Sequence, residues 1–312
     1  MKSILFIAAL ATLTLTSCNS NRREVTGLMS ASEVHMAIDE TFRPIMEEEI
    51  SVFNARYSEA MMMPEFMTET EAINLLLKDS IRFILTTRSL SEAEQNTIKN
   101  NKLAPQQRQI ASDAVALVVN NQNPDTLITL DEIKGIMTGK ITRWEQLAKS
   151  KNKGEIEVVF DNANSSTVRY IQDSICGSEA FTGNLKAQKT NTDVLDYIKK
   201  SPLSIGVVGA DWVKNPSDTS LISFDPSVRV MRVSRFSGSD ASYFHPYQYY
   251  IATGEYPLTR SVFAIMTDPF TMSMTRKFFY FLSDTEGQLI ITKSSQLLPI
   301  VPVQVKNVRT TN

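Results

Sequence analysis

The 312-residue chain has few of the side chains that metal centres and nucleophilic enzymes need, since it contains two histidines and two cysteines. So few nitrogen and sulfur ligands argue against a zinc site, and the spacing supports no Ser-His-Asp arrangement. The 34 acidic residues balance the 32 Lys and Arg, so the chain lacks the basic excess of a nucleic-acid-binding protein. Eleven glycines and 12 prolines exclude collagen-like and low-complexity classes. We predict no enzyme activity, cofactor, metal or nucleic-acid partner, with only an oxygen-ligand metal site left open.

The chain also lacks a hydrophobic run long enough to cross a bilayer as a helix. Its N-terminal apolar stretch, residues 4–15, is shorter than the ~20 residues that a span needs. The stretch is followed by Thr-Ser and then Cys18, which resembles the lipobox of bacterial lipoproteins. The alternative is an ordinary secretory peptide with a chance cysteine. We predict a lipoprotein signal peptide over residues 1–17, lipid on Cys18 and a tether over residues 18–27. The protein would then be periplasmic or on the cell surface, anchored to a membrane by lipid.

The rest of the chain alternates strand-like and helix-like segments. Thr68 with Glu71, and Thr129 with Glu132, have the spacing of capping boxes at helix starts. Residues 114–119 are continuously apolar, which is typical of a buried parallel strand. Strands followed repeatedly by helices predict an α/β fold with a largely parallel sheet.

The length suits two domains of about 100–150 residues each. We predict a crossover just after the apolar run and a return between residues 210 and 230, where Asn-Pro and Asp-Pro pairs break the pattern. Domain I would then comprise residues 28–119 and 225–312, and residues 120–224 would form an inserted domain II.

Five stretches of the chain carry a family resemblance. They are residues 113–120, 123–147, 204–209, 256–261 and 281–288. The second contains Thr-Gly-Lys-Ile-Thr-Arg-Trp at residues 138–144, the most specific of the motifs. In this order they resemble the PstS-type phosphate-binding proteins of ABC transporters. The resemblance implies a type II periplasmic binding protein fold, with two Rossmann-like domains, a ligand cleft and a two-strand hinge. It also implies a monomer that binds inorganic phosphate and delivers it to ABC permease subunits.

The resemblance places the ligand at loops that precede helices, where unpaired N–H groups and the helix dipole attract oxyanions. The candidate phosphate-binding residues are Asp39, Glu40, Thr41, Phe42, Thr68, Glu69, Thr87, Arg88, Ser89, Asn164, Ser165, Ser166 and Thr167. For each Ser, Thr or Asn among them, the alternative is a simple helix cap.

The fourth loop departs from the family pattern. Phe160 stands where the family usually has Arg, and Asn162 replaces Asp. We therefore predict that Arg88 supplies the only charge, with a surface or structural role as the alternative. Asp39, with Glu40 second, is the predicted acceptor of the proton that distinguishes phosphate from sulfate; the alternative is a solvated acid at a helix start. The departures keep open a different oxyanion, or a non-transport lipoprotein of this fold that acts as a sensor or adhesion module.

Overall fold

The computed structural model describes residues 32–218 and 220–301. The strands are β1 Glu33–Asp39, β2 Met61–Met67, β3 Phe83–Thr86, β4 Gln106–Asn120, β5 Leu127–Thr129, β6 Glu157–Phe160, β7 Leu185–Ala187, β8 Ser204–Gly209, β9 Val228–Val230, β10 Arg232–Ser234, β11 Thr259–Met266 and β12 Leu298–Pro299. The helices are α1 Arg43–Arg56, α2 Glu69–Leu77, α3 Glu92–Asn100, α4 Leu130–Met137, α5 Ser166–Ile171, α6 Asn191–Lys200, α7 Gln248–Ala252, α8 Met274–Phe281 and α9 Thr285–Ser294. In these ranges, no helix combines the length and apolar composition that a bilayer crossing requires.

The strands form a mixed sheet in the order β2-β1-β3-β11-β4-β8-β6-β7, to which β9 and β12 add at β4. The strands at each end of the order run parallel to one another, but β4 pairs antiparallel with β8, β9, β11 and β12. The prediction that residues 114–119 form a parallel strand was therefore wrong. Burial on both faces produces a continuous apolar run whichever way the neighbouring strands point.

Two lobes are built on the two ends of this sheet. In the first lobe, α1, α8 and α9 cover one face, with Phe53 and Phe278 in the core, and α2 and α3 cover the other. The core of the second lobe extends from Ala114 to Leu258. Because β4 passes through both cores, it connects the lobes directly.

The packing of the second core indicates where the boundary between the two domains lies. The prediction resumed domain I at residue 225, but Val230, Met231, Tyr256 and Leu258 all pack in the second core. Their apolar side chains are buried against β4 and β8 rather than against the helices of the first lobe. We therefore propose that domain II comprises residues 114–258. The predicted signal peptide and tether lie outside the described residues.

Helix starts in both lobes follow local sequence. Thr68 with Glu71 caps α2, and Thr129 with Glu132 caps α4, through the reciprocal hydrogen bonds of a capping box. Both predicted boxes are confirmed. Helix α5 begins at Ser166, because Ser165 is its cap and accepts a hydrogen bond from the Val168 N–H.

A buried acid on α1 makes stability depend on pH. Glu49 is 1% exposed, and neither carboxyl oxygen has a hydrogen-bond partner in the structure. Burial, followed by the charge of Asp284, raises the pKa of Glu49 from 4.5 to about 9. The folded protein thus keeps a proton that the unfolded chain releases above pH 4.5, so this group lowers stability progressively as pH rises toward 9.

Replacing Glu49 by glutamine is expected to raise the free energy of unfolding by about 1–3 kcal/mol at pH 8 and by little at pH 5. Urea unfolding at both pH values measures the difference. Glu48→Gln, at the exposed neighbouring position, is the matched control and should change stability by less than about 0.5 kcal/mol. A gain from Glu49→Gln that is equal at both pH values would contradict the ionisation argument.

Candidate ligand cleft

A cleft lies between the lobes, where β1, β2, β6 and β7 end and the following helices begin. It contains a cavity of about 140 Å³. The cavity is lined from both lobes by Asp39, Glu40, Arg43, Phe66, Met67, Thr68, Glu71, Asp161, Asn162, Ser165, Lys189 and Thr190. The site therefore forms only when the two lobes are together, at the edge of the sheet where α/β folds bind ligands.

A buried arginine, Arg260, supplies a positive charge that acts on Asp39, one of the residues that line the cavity. Arg260, on β11, is 6% exposed, and its Nε lies 2.9 Å from Asp113 Oδ2 on β4. Its Nη1 donates to the hydroxyl of Ser166 on α5 at 3.0 Å, while the buried Nη2 has no partner in the structure. Its guanidinium carbon lies 5.7 Å from the centre of the Phe42 ring. One guanidinium thus reaches the second lobe and keeps a donor unused.

Three carboxyl groups line the cavity; Asp39 and Asp161 are buried and Glu40 is half-buried. Asp39 ends β1 and accepts from the Thr41 N–H at 3.0 Å, and burial raises its pKa to about 6, against the opposing charge of Arg260. Burial also raises the pKa of Glu40 to about 7, although Asn191 donates to its carboxylate at 2.5 Å. The pKa of Asp161 is raised by burial as well. Asp39 and Glu40 can therefore hold or release protons near neutral pH.

Several of the predicted residues lie together at the cleft. Thr41 and Phe42 are buried in the short turn after β1, and the Thr41 hydroxyl has no partner in the structure. Ser166 and Thr167 face them from α5, with hydroxyl oxygens 3.0 and 3.5 Å from Arg260 Nη1. Hydroxyl groups of both lobes and one guanidinium therefore converge, as an oxyanion requires.

The predicted charge at Arg88 is engaged elsewhere. Both terminal nitrogens of Arg88 donate to the Glu94 carboxylate on α3 at 2.8 Å, in the bidentate geometry of a strong ion pair. Ser89 and Asn164 are exposed. Arg88 is therefore paired within its own lobe, and Arg260 is the buried guanidinium beside Asp39.

Two further predicted positions are occupied by internal contacts. Thr68 is held in its capping box with Glu71. Glu69 is buried and accepts hydrogen bonds from Thr87 and from Arg169. The side chain of Glu69 thus acts as an acceptor and offers no donor to an anion.

Residue-by-residue reasoning did not include among its candidates eight residues that line the cavity, which are Arg43, Phe66, Met67, Glu71, Asp161, Asn162, Lys189 and Thr190. It also missed four residues that pair with the candidate residues or lie beside them: Asp113, Arg169, Asn191 and Arg260. A signal for two of them was present, because Asp113 and Arg260 lie within the stretches 113–120 and 256–261 that carry the family resemblance. Those stretches indicated a fold, but nothing local indicated that two distant strands would pair an acid with a base.

Residues 25–285 match the family model of the PBP superfamily domain. The chain belongs to this superfamily. The phosphate-binding protein PstS of Borreliella burgdorferi is 21% identical over 306 residues, which cover 95% of this chain and 98% of that protein. Protein SphX of Synechococcus elongatus is 23% identical over 203 residues, covering 63% of this chain and 56% of that protein.

Solved structures of the superfamily share the fold. A phosphate ABC transporter substrate-binding protein of Clostridium perfringens, solved with bound phosphate, superposes with a TM-score of 0.71 at 22% identity, covering 86% of this chain and all of that one. An ABC-type phosphate transport receptor of Vibrio cholerae gives a TM-score of 0.63 at 24% identity, with the same coverage. The predicted type II periplasmic binding protein fold and the likeness to PstS-type proteins are confirmed.

Proposed function

We propose that this protein is an extracytoplasmic receptor that binds inorganic phosphate between its lobes and delivers it to an ABC permease. The observation that carries the proposal is the buried Arg260 guanidinium, which donates across the cleft to Ser166 and whose Nη2 has no partner among the described residues. A buried donor without a partner is costly, and a charged one more so, unless a ligand completes its hydrogen bonds. The names of the similar proteins, which bind or transport phosphate, support the identity of the anion.

The proposed phosphate site uses donors from both lobes. Arg260 supplies the charge, and the Thr41, Ser166 and Thr167 hydroxyls supply neutral donors, joined by N–H groups at the start of α5. Arg260 takes the role for which Arg88 was predicted. The fourth loop of the family usually supplies a positive charge through an Arg, and Phe160 stands at that position in this chain. Arg260 supplies the charge instead.

Calorimetric titration of the mature protein with phosphate, sulfate, arsenate and molybdate tests the proposal. We expect phosphate to bind with one site per chain and sulfate to bind more weakly. If another oxyanion binds more tightly than phosphate, that anion replaces phosphate as the proposed ligand. Absence of binding by all four would favour the sensor or adhesion alternative, which the occupied Arg88 and the altered fourth loop keep open.

Asp39 is the proposed acceptor of the phosphate proton. Phosphate carries a proton near neutral pH and sulfate does not, so a buried carboxylate favours the first anion and repels the second. Because the pKa of Asp39 is about 6, the carboxylate is ionised at pH 8 and protonated at pH 5. Asp39→Asn is expected to reduce the preference for phosphate over sulfate about tenfold at pH 8.

The same titrations at pH 5 provide the control, since the wild-type carboxyl is then uncharged and the two proteins should show similar preferences. If Asp39→Asn keeps the wild-type preference for phosphate over sulfate at pH 8, another group accepts the phosphate proton, and Glu40 is the next candidate.

We further propose that the protein is a monomer held at a membrane by lipid on Cys18. The apolar stretch before this cysteine and the small residues beside it support the anchor. An anchored receptor with a free cleft remains close to its permease, which raises the local concentration of the two partners.

A further inference from the structure

The carboxylate of Glu69 is bound by the groups that an oxyanion would use. Glu69 begins α2 and is 2% exposed. Its Oε1 accepts from the Thr87 backbone N–H at 2.6 Å and from the Thr87 hydroxyl at 2.9 Å. Its Oε2 accepts from Arg169 Nε at 2.9 Å. A backbone N–H, a hydroxyl and a guanidinium are the usual donors of anion sites, so Glu69 is held as a bound anion would be.

These contacts join the two lobes. Glu69 and Thr87 belong to the first lobe, and Arg169 extends from α5 of the second. Arg169 also donates from Nη2 to the Thr87 hydroxyl at 2.6 Å. The bridge between the lobes therefore consists of three hydrogen bonds to the Glu69 carboxylate and a fourth from Arg169 to Thr87. Glu69 and Thr87 are buried, so most of the bridge is shielded from water.

The Glu69 charge acts on the proposed phosphate site. Burial, and then the charge of Glu69, raise the pKa of Asp39, while Arg260 opposes them. Arg169, which binds Glu69, lies three residues after Ser166 on the same helix. A phosphate at Ser166 and Arg260 would thus be close to a second negative group, and like charges in a poorly solvated site repel strongly.

We propose that Glu69 is an internal anion that competes with phosphate. Without ligand, its carboxylate occupies the donors of Thr87 and Arg169 and holds the lobes together. When phosphate binds at Arg260 and Ser166, Glu69 leaves Thr87 and Arg169, whose freed donors then join the phosphate site. Glu69 therefore lowers the affinity, and the bound phosphate takes over its role of joining the lobes. The identity of the competing ligand rests on the proposed function; the bridge between the lobes does not.

Phosphate calorimetry and small-angle scattering of the ligand-free protein test both parts on wild type, Glu69→Gln and Glu92→Gln. Glu92 is the matched control, because it begins α3 as Glu69 begins α2, but it is exposed and does not line the cavity. We expect Glu69→Gln to tighten phosphate binding about tenfold and to enlarge the ligand-free radius of gyration. Glu92→Gln should change affinity by less than about threefold and leave the radius unchanged.

Arg169→Gln is a second variant that breaks the bridge but leaves the Glu69 charge in the cleft. It should enlarge the radius in the same way and weaken phosphate binding, the opposite of the effect of Glu69→Gln. Equal or weaker phosphate binding by Glu69→Gln, or an unchanged ligand-free radius, overturns the proposal. If wild type and all variants fail to bind phosphate, the proposed function is wrong. The radius of gyration of the ligand-free variants then shows by itself whether Glu69 holds the lobes together.

Discussion

Replacing Arg260 by glutamine is expected to lower phosphate affinity about a hundredfold or more. A hydrogen bond to a charged group contributes about 1.5–3 kcal/mol, and Arg260 offers its unused Nη2 together with the charge of the guanidinium. Glutamine keeps a donor but removes the charge. Calorimetric titration of both proteins with phosphate measures the loss.

Two controls separate binding from folding. Removing Arg260 alone leaves Asp113 buried and unpaired, which costs about 3–5 kcal/mol of stability. The double variant Asp113→Asn/Arg260→Gln removes both charges, so it should recover much of this stability while phosphate binding stays weak. Arg88→Gln also removes one guanidinium, but one that Glu94 occupies, and should change affinity by less than about threefold. A large loss of phosphate affinity in Arg88→Gln, with no loss in Arg260→Gln, would show that Arg88 supplies the charge, as predicted from the sequence.

For the proposed lipid anchor, replacing Cys18 by serine is expected to abolish cleavage of the N-terminal segment. Lipid is attached through the cysteine sulfur before the signal peptide is removed, and a serine hydroxyl does not replace the thiol in this chemistry. The variant should accumulate at the mass of the unprocessed chain and lack lipid. Gel mobility, metabolic labelling with a fatty acid and mass spectrometry measure processing and lipidation.

Cys176→Ser is the matched control for this variant. Cys176 is a free, buried thiol in the second lobe, so its replacement should leave processing and membrane retention intact. Normal cleavage and retention of Cys18→Ser would contradict the lipid anchor and favour an ordinary secretory peptide.

Much of the fold could be predicted because its signals are local. The capping boxes at Thr68 and Thr129 use side chains three residues from the groups they bond. The loops that end β1 and precede α5 were also predicted to meet at the cleft. The direction of β4 could not be predicted, because a strand buried on both faces has the same apolar composition in parallel and antiparallel pairing.

Local sequence patterns suffice to predict the starts of the capped helices α2 and α4, the loops that face the cleft and the family that the chain resembles. These properties depend on groups a few residues apart, or on motifs that recur in order. The partners of the charged side chains, and with them the charge that we propose for the cleft, depend on the tertiary structure. Arg88 pairs with Glu94, six residues away, whereas Arg260 pairs with Asp113 across 147 residues because β11 lies beside β4 in the sheet. Likewise, Glu69 meets Arg169 across 100 residues only when the lobes come together. The energy of a buried charge depends on the partners that the fold brings to it, and the strand order that selects them is not encoded in any local pattern.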